Sequence, residues 1–479
     1  MRLGDIAVDV TPLRASREFR LLFTATALSM LGTALTSVAA SIQVYDLGDS
    51  SLHVGLVNLV IGVSLCVGLL AGGVLADRTD RRRLILSTRA GSAVVVLALA
   101  GNALVPEPQL WFVYLAAVAA GVAGGLGAPA LMAVTPALAG REHLAAAGAL
   151  LTLTTQFGAM VGPSLAGLIA AGPGVAVCYL VDAAGFVVGA ALLWRLPPLR
   201  AAPDEDDDAD HTAAQHPVRA ILDGLRHVRA NRVIRGLMLV DLAAVVLAMP
   251  YALFPEMGHE VFDGGPTAVG LLYTAPAVGA FLGALASGWI GRVRRPGVAL
   301  IVVAALWGAA IAAFGLTRHL WLGLLVLAVA GGADTISEIL RRALLQQYTP
   351  DRLQGRVGSL WLAQATAGPA TGNALSGGVA RLIGPGATLV AGGVACVAAV
   401  IAVATTLPAL RAAGPTSEPT AEPTAESTSD PTSKPTADPI SPPTADAAPV
   451  PAAPALADHE PAAGSPGGTP PTNTTTAKG

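Results

Sequence analysis

The chain has 479 residues, 53% of them hydrophobic and only 13% charged, where soluble domains carry about 25% charged residues. With a mean hydropathy of +0.61, that balance excludes a large soluble enzyme and points to an all-α polytopic membrane protein. The formal net charge of -3 comes largely from the acidic run Asp204 to Asp210 and from the C-terminal tail, so nothing in it suggests a nucleic-acid partner.

The N-terminal stretch MRLGDIAVDVTPLRASREFR places acids and prolines ahead of the first apolar run. It reads as a cytoplasmic lead-in rather than a cleaved signal peptide. Apolar windows of about 20 residues, enough to cross a bilayer as helix, then occur twelve times. The expected spans are 20–44, 52–76, 85–104, 110–133, 144–171, 174–195, 234–257, 267–290, 297–317, 320–341, 357–382 and 385–408. They divide the chain into an N-terminal six-helix half, 1–195, a central loop, 196–233, and a C-terminal six-helix half, 234–410. The central loop ends in VRAILDGLRHVRANRVIRG, whose helical apolar spacing predicts an amphipathic helix on the membrane surface. After residue 410, the tail 411–479 turns to Pro, Thr, Ala and Ser, a composition that cannot offset ordering entropy and predicts disorder.

Basic residues set the orientation. Placing both termini and the even-to-odd connections in the cytoplasm puts Arg78, Arg81, Arg82, Arg83, Arg141, Arg292, Arg294, Arg295 and Arg356 inside, with Arg318 and Arg381 outside. The outer side instead collects Asp46, Asp49, Glu107, Glu256, Glu260 and Asp263. The expected location is therefore the cell membrane, multi-pass, with both termini cytoplasmic. An internal repeat relates Thr135-Pro136, Gly140-Arg141, Gln156 and Gly162-Pro163 to Thr349-Pro350, Gly355-Arg356, Gln364 and Gly368-Pro369. Two parallel six-helix repeats are a secondary-transporter signature, with the binding site between them at the midplane.

Cys66, Cys178 and Cys396 lie in apolar runs without metal-ligand spacing, and the expectation is no disulfide, no metal and no cofactor beyond a proton gradient. No GxxxxGK[ST], HExxH or nucleophile elbow occurs, so the chain reads as no enzyme. Ionisable groups inside membrane runs are functional hypotheses by default. Asp334 and Glu338 stand i,i+4 in the tenth segment with Arg341 and Arg342 a turn beyond, suited either to carrying a proton or to structural pairing. Asp182 and Asp241 sit in apolar runs near opposite membrane sides, where snorkelling or capping is the stronger reading and a coupling role the weaker. Asn58, Gln156, Gln364 and Asn373 are the polar side chains suited to a substrate cavity or, equally, to interhelical bonding.

The connection after the second segment, GGVLADRTDRRRLIL, resembles the loop signature of the major facilitator superfamily at Gly73, Leu75, Ala76, Asp77, Arg78, Arg81 and Arg82, departing from it at Asp80. Gly73 is expected to allow a close helix approach, and Asp77 to meet a helix N-terminus and an arginine, forming a conformational latch. The corresponding second-half run SGWIGRVRRPG has Arg292 at the acidic position, which makes the latch asymmetric. The fifth segment, with Gly158, Gly162, Pro163 and Gly167, resembles the small-residue element of drug and proton antiporters, with Ala166 for one glycine. The fourth segment carries no charge, which excludes coupling through the arginine typical of those antiporters there.

Runs such as VGLLAGGVLADRTDRRRLIL, ALMAVTPALAGREHLAAAGAL and GRVGSLWLAQATAG resemble, over residues 15–410, the enterobactin exporter family, proton-driven siderophore exporters. The resemblance implies a twelve-helix exporter of a small molecule, working by alternating access in the lipid bilayer with no obligate protein partner. Multidrug or macrolide efflux is the alternative on the same scaffold, import a further one, and a non-transporting scaffold acting through the tail is the alternative of another class.

Overall fold

A computed structural model describes residues 9–197 and 217–414. The acidic run and the tail expected to be disordered, but for its first few residues, lie outside the described residues. Among those residues all regular structure is helical. Twelve long helices follow in order: α1 (Arg17–Gly48), α2 (Ser51–Arg78), α3 (Arg81–Leu104), α4 (Leu110–Ala139), α5 (Leu144–Ala171), α6 (Val175–Trp194), α7 (Arg232–Val261), α8 (Gly265–Arg292), α9 (Pro296–Leu316), α10 (Leu320–Tyr348), α11 (Gln354–Ile383) and α12 (Pro385–Thr406). Eleven of them are long and apolar enough to cross a membrane on hydropathy alone. The twelfth, α11, has 30 residues and the length to cross, but its Arg356, Gln364, Asn373 and Arg381 lower its hydropathy.

Caps explain the helix starts. Ser16, Ser50, Asp80 and Asn231 each accept a hydrogen bond from a backbone N–H in the first turn of α1, α2, α3 and α7. The turns repeat between halves. Asp49, between α1 and α2, and Asp263, between α7 and α8, are the two non-glycine residues with positive φ among the described residues, at 46° and 47°. Aspartate tolerates that region because its short side chain bonds locally. Gly174 and Gly384 likewise reverse the chain between α5 and α6 and between α11 and α12, at φ 96° and 80°. A single 3-10 turn precedes α5 (Arg141–His143) and α11 (Asp351–Leu353), the two segments linked by the sequence repeat.

Each half carries a main apolar cluster, the first half's also taking in Ala252 and Val269 from the second. The largest apolar cluster lies wholly within residues 233–413 around Phe254, Trp307 and Phe314, and the second is built mainly from α1, α3, α4 and α6. Lipid is as apolar as leucine, so backbone approach and dispersion carry the packing. In α8 and α10 this is direct: a Cβ on Gly283 would sit 2.8 Å from Gly332 O, and Gly279 and Gly331 face Ala328 O and Pro276 O more tightly still.

α7 departs from the single expected span 234–257. Its α-helix stops at Leu247, and the chain continues through Pro250, a 3-10 turn, a short helical turn around Pro255 and a π segment, Met257–Val261. Pro250 removes a donor and disrupts the ladder, and Asn373 Oδ1 on α11 satisfies the freed Ala252 N–H at 2.9 Å. The amphipathic helix Pro217–Ala230 docks on α11, with Gly224 against Leu360 and Arg356 O.

Candidate functional site: a cavity between two halves

Two helix pairs make most of the contact between the halves, α2 with α11 and α5 with α8. Their close approaches run from Gly55 and Gly377 to Gly62 and Ala370 on the first pair, and include Gly167 against Gly270 on the second. A Cβ on Gly167 would lie 2.6 Å from Pro266 O and 2.9 Å from Gly270 Cα, so only glycine allows the backbones this near. These contacts sit towards the face that carries the α1–α2 and α7–α8 turns. Four side-chain contacts close the same end: Tyr45 Oη donates to Glu260 Oε1 at 2.7 Å, Ser51 Oγ to Glu256 Oε2, Ser164 and Thr274 share a bond of 2.7 Å, and the Tyr273 hydroxyl lies 3.1 Å from Ser41 Oγ. Sequence reasoning used Glu256 and Glu260 only to orient the chain; their i,i+4 spacing on one helix is the signal that could have marked them as a paired contact.

Below this closure lies a cavity in two lobes of about 380 and 320 Å³ that share Tyr251, Trp307 and Asp334. It extends towards the face where α1 begins and α12 ends, past Arg342 and Trp361. Aromatic rings form its closed end. Tyr251 stacks on Tyr273 at 5.7 Å between centroids, and the buried Trp307 Nε1 donor has no partner among the described residues.

Charge concentrates on one wall. Arg341 and Asp241 are both buried and pair directly. Gln364 Nε2 donates to Asp241 Oδ2 at 2.7 Å and to Met238 O at 3.0 Å, so the carboxylate is held from two sides. Asp334 stands 3.9 Å from Arg341 with its side chain half exposed to the cavity. Glu338 takes the other arginine, Arg342, at 2.9 Å, and that guanidinium lies 4.8 Å over the Trp361 ring. The snorkelling or capping expected of Asp241 is therefore not what it does: it anchors a three-helix ion cluster on α7, α10 and α11.

The four predicted amides separate into two roles. Gln156 and Asn58 make no hydrogen bond among the described residues. Gln156 lines the central cavity, and Asn58 lines a second cavity of about 310 Å³ within the first half, among α1, α2, α3 and α4. Gln364 and Asn373 instead spend their polar atoms on Asp241, Met238 O and Ala252 N. On α5, Gly158 and Gly162 pack on Met30 and Ala34 of α1, and Pro163 borders the cavity.

Two buried ionic groups lie within the first half. Asp182 is 1% exposed, where snorkelling or capping was expected. Its Oδ2 accepts from Thr36 Oγ1 at 2.6 Å, its Oδ1 has no partner among the described residues, and Gly32 supplies the room for it. Sequence reasoning passed over Arg89, which adjoins the run Arg81, Arg82, Arg83 and reads as more of the same surface cluster. It stands eight residues into α3, about 12 Å along the axis, and is buried with its guanidinium on Ser29 Oγ and Ala25 O.

Comparison with known proteins decides the family. The Major Facilitator Superfamily profile matches residues 22–360 and 242–456. The chain belongs to the major facilitator superfamily. It is 34% identical over 386 residues to the enterobactin exporter EntS of Shigella boydii serotype 18, covering 81% of this chain and 91% of that protein. The same figures hold for the enterobactin exporter of Escherichia coli O81. Among solved structures, the nucleoside transporter NupG superposes with a TM-score of 0.67 at 13% identity, over 81% of this chain and 98% of its own. A POT family transporter reaches 0.65 at 12% identity, over 82% and 97%. This facilitator is thus a multi-pass membrane protein of twelve helices in two halves.

The superfamily loop signature shows how it is built here. The close approach expected of Gly73 is made by its neighbour: Gly72 abuts Gly125 O and Leu126, whereas Gly73 has open space beside it. Asp77 is exposed and, like Arg78, makes no ion pair among the described residues. Asp80, where the signature prefers glycine, caps α3 through Arg82 N at 2.9 Å. Arg82 donates to Trp194 O at the end of α6, while Arg81 leaves its Nε unpartnered.

Proposed function

We propose that this facilitator exports a siderophore or a similar small secondary metabolite by alternating access, with proton antiport as the driving force. The observation that carries the reading is the 34% identity over 91% of the length of proteins named enterobactin exporters. The cavity gives it a physical basis: with both termini in the cytoplasm, it lies open to the cytoplasm and closed outward, the state in which an exporter loads. Cargo contacts fall to Gln156, whose amide is free, to the Trp307 donor and to the Tyr251–Tyr273 stack. Proton exchange on the second half falls to Asp334, the cavity-facing carboxylate of the Asp241–Arg341–Asp334 cluster, because its partner Arg341 is already committed to Asp241.

The Gly73–Arg82 segment serves as a latch that breaks in the cytoplasm-open state, in keeping with the unpaired Asp77, and re-forms when that face closes. Inverted vesicles test the antiport. Enterobactin should accumulate inside when the interior is made acidic and should stop accumulating when a protonophore collapses the gradient; accumulation indifferent to the gradient would contradict proton coupling.

A further inference from the structure

We propose that Asp182 is a second proton-binding site, lying inside the first half and exchanging its proton with the cavity there through the Thr36 hydroxyl. The carboxyl is almost wholly buried, with one donor on Oδ2 and none on Oδ1. A charge held there would have no counter-ion and one unsatisfied oxygen, an arrangement the bilayer interior makes costly. A proton on the carboxyl, taken up at Oδ2 where Thr36 bonds it, removes the charge and with it the need for a counter-ion.

The neighbours of Asp182 leave it no alternative partner. α6 packs on α1, α3 and α5. On α1 the carboxyl meets Gly32 and Thr36. On α3 the charged group of this seam is Arg89, whose guanidinium is engaged one turn away at Ser29 and Ala25. No ion pair joins Arg89 to Asp182. α5 carries no titratable side chain anywhere along its length. On α6 itself, Tyr179 donates to Gln43 Oε1 at 2.7 Å and Cys178 to Ala166 O.

Access is equally specific. Thr36 is half-buried, and together with Thr33, Ser37 and Asn58 it lines the first-half cavity of about 310 Å³. Ser37 also borders the central cavity. A hydroxyl can accept one proton while donating another, so Thr36 is a one-step relay that takes a proton from this cavity as it passes its own to Asp182 Oδ2. The site deepens the proton-antiport reading and rests on it for its purpose in transport, but its chemistry is testable without any cargo.

The experiment is infrared spectroscopy of the purified full chain in water and in deuterium oxide. The wild type should show a protonated-carboxyl C=O band at neutral pH that is absent from Asp182→Asn, whose amide keeps the Thr36 bond. The band should shift on transfer to deuterium oxide, and Thr36→Val should slow that shift. If Asp182→Asn removes no such band, or if the band never exchanges, the proposal is overturned. Vesicles separate this from the parent reading: transport indifferent to a pH gradient in the wild type contradicts antiport while the Asp182 band stands, and a gradient response unchanged in Asp182→Asn overturns the site's role in coupling.

Discussion

Arg341 is the residue on which the second half's polar architecture turns. It is buried, pairs with buried Asp241 and faces Asp334. Removing one member of a buried pair leaves an uncompensated charge, so Arg341→Ala should lower stability by about 3–5 kcal/mol, read as a drop in thermal unfolding temperature in detergent. Asp334→Asn, at a half-exposed group, should leave that temperature nearly unchanged and abolish the response to a pH gradient. The amides divide the same way. Asn373→Ala strands the Ala252 N–H and should lower stability by about 1–3 kcal/mol. Gln156→Ala breaks no bond and should impair transport while leaving stability alone. Sequence could nominate all four amides but could not sort them, because Gln156 and Gln364 occupy equivalent repeat positions and differ only in what the facing helix offers: Asp241 and the Met238 carbonyl for one, a cavity for the other. Arg89 escaped notice for a related reason: a buried cation two turns into a helix looks, in one dimension, like the last of a surface cluster.

At the scale of the helix, periodicity and length located every span, with α5 read at its full extent from Leu144 to Ala171. The misjudged element is α7, where Pro250 and Pro255 break the ladder and a π segment carries Glu260 to its partner Tyr45. That irregularity is repaired by α11, a tertiary event no local window reports. The glycines of α5 and α8 make a prediction at this scale. Ser164→Cys paired with Thr274→Cys should form a disulfide readily across the closed end, since the native hydroxyls are 2.7 Å apart. Adding Gly270→Leu, which forces a side chain into Gly167 and Pro163 O, should sharply lower the cross-link yield. An unchanged yield would mean that this glycine contact does not hold the face shut.

For the whole molecule, the proposed alternating access makes the two halves the moving parts and the α2–α11 and α5–α8 contacts the joint between them. Contacts concentrated at one end, with a cavity open at the other, describe one of the two states alternating access requires. On the proposed latch, the superfamily loop acts in the opposite state: Asp77→Asn should leave the protein inserted and stable while impairing export and shifting the population further towards the cytoplasm-open form, measurable by spin-label distances across the two halves. Equal distances and normal export in that variant would remove the latch from the account. The most direct test of the central claim is mass spectrometry of medium and cell extract from a deletion strain and its complemented counterpart grown with little iron. The account predicts a siderophore lost from the medium and retained in the cells of the deletion strain alone. Identical partition in both strains would contradict siderophore export by this chain.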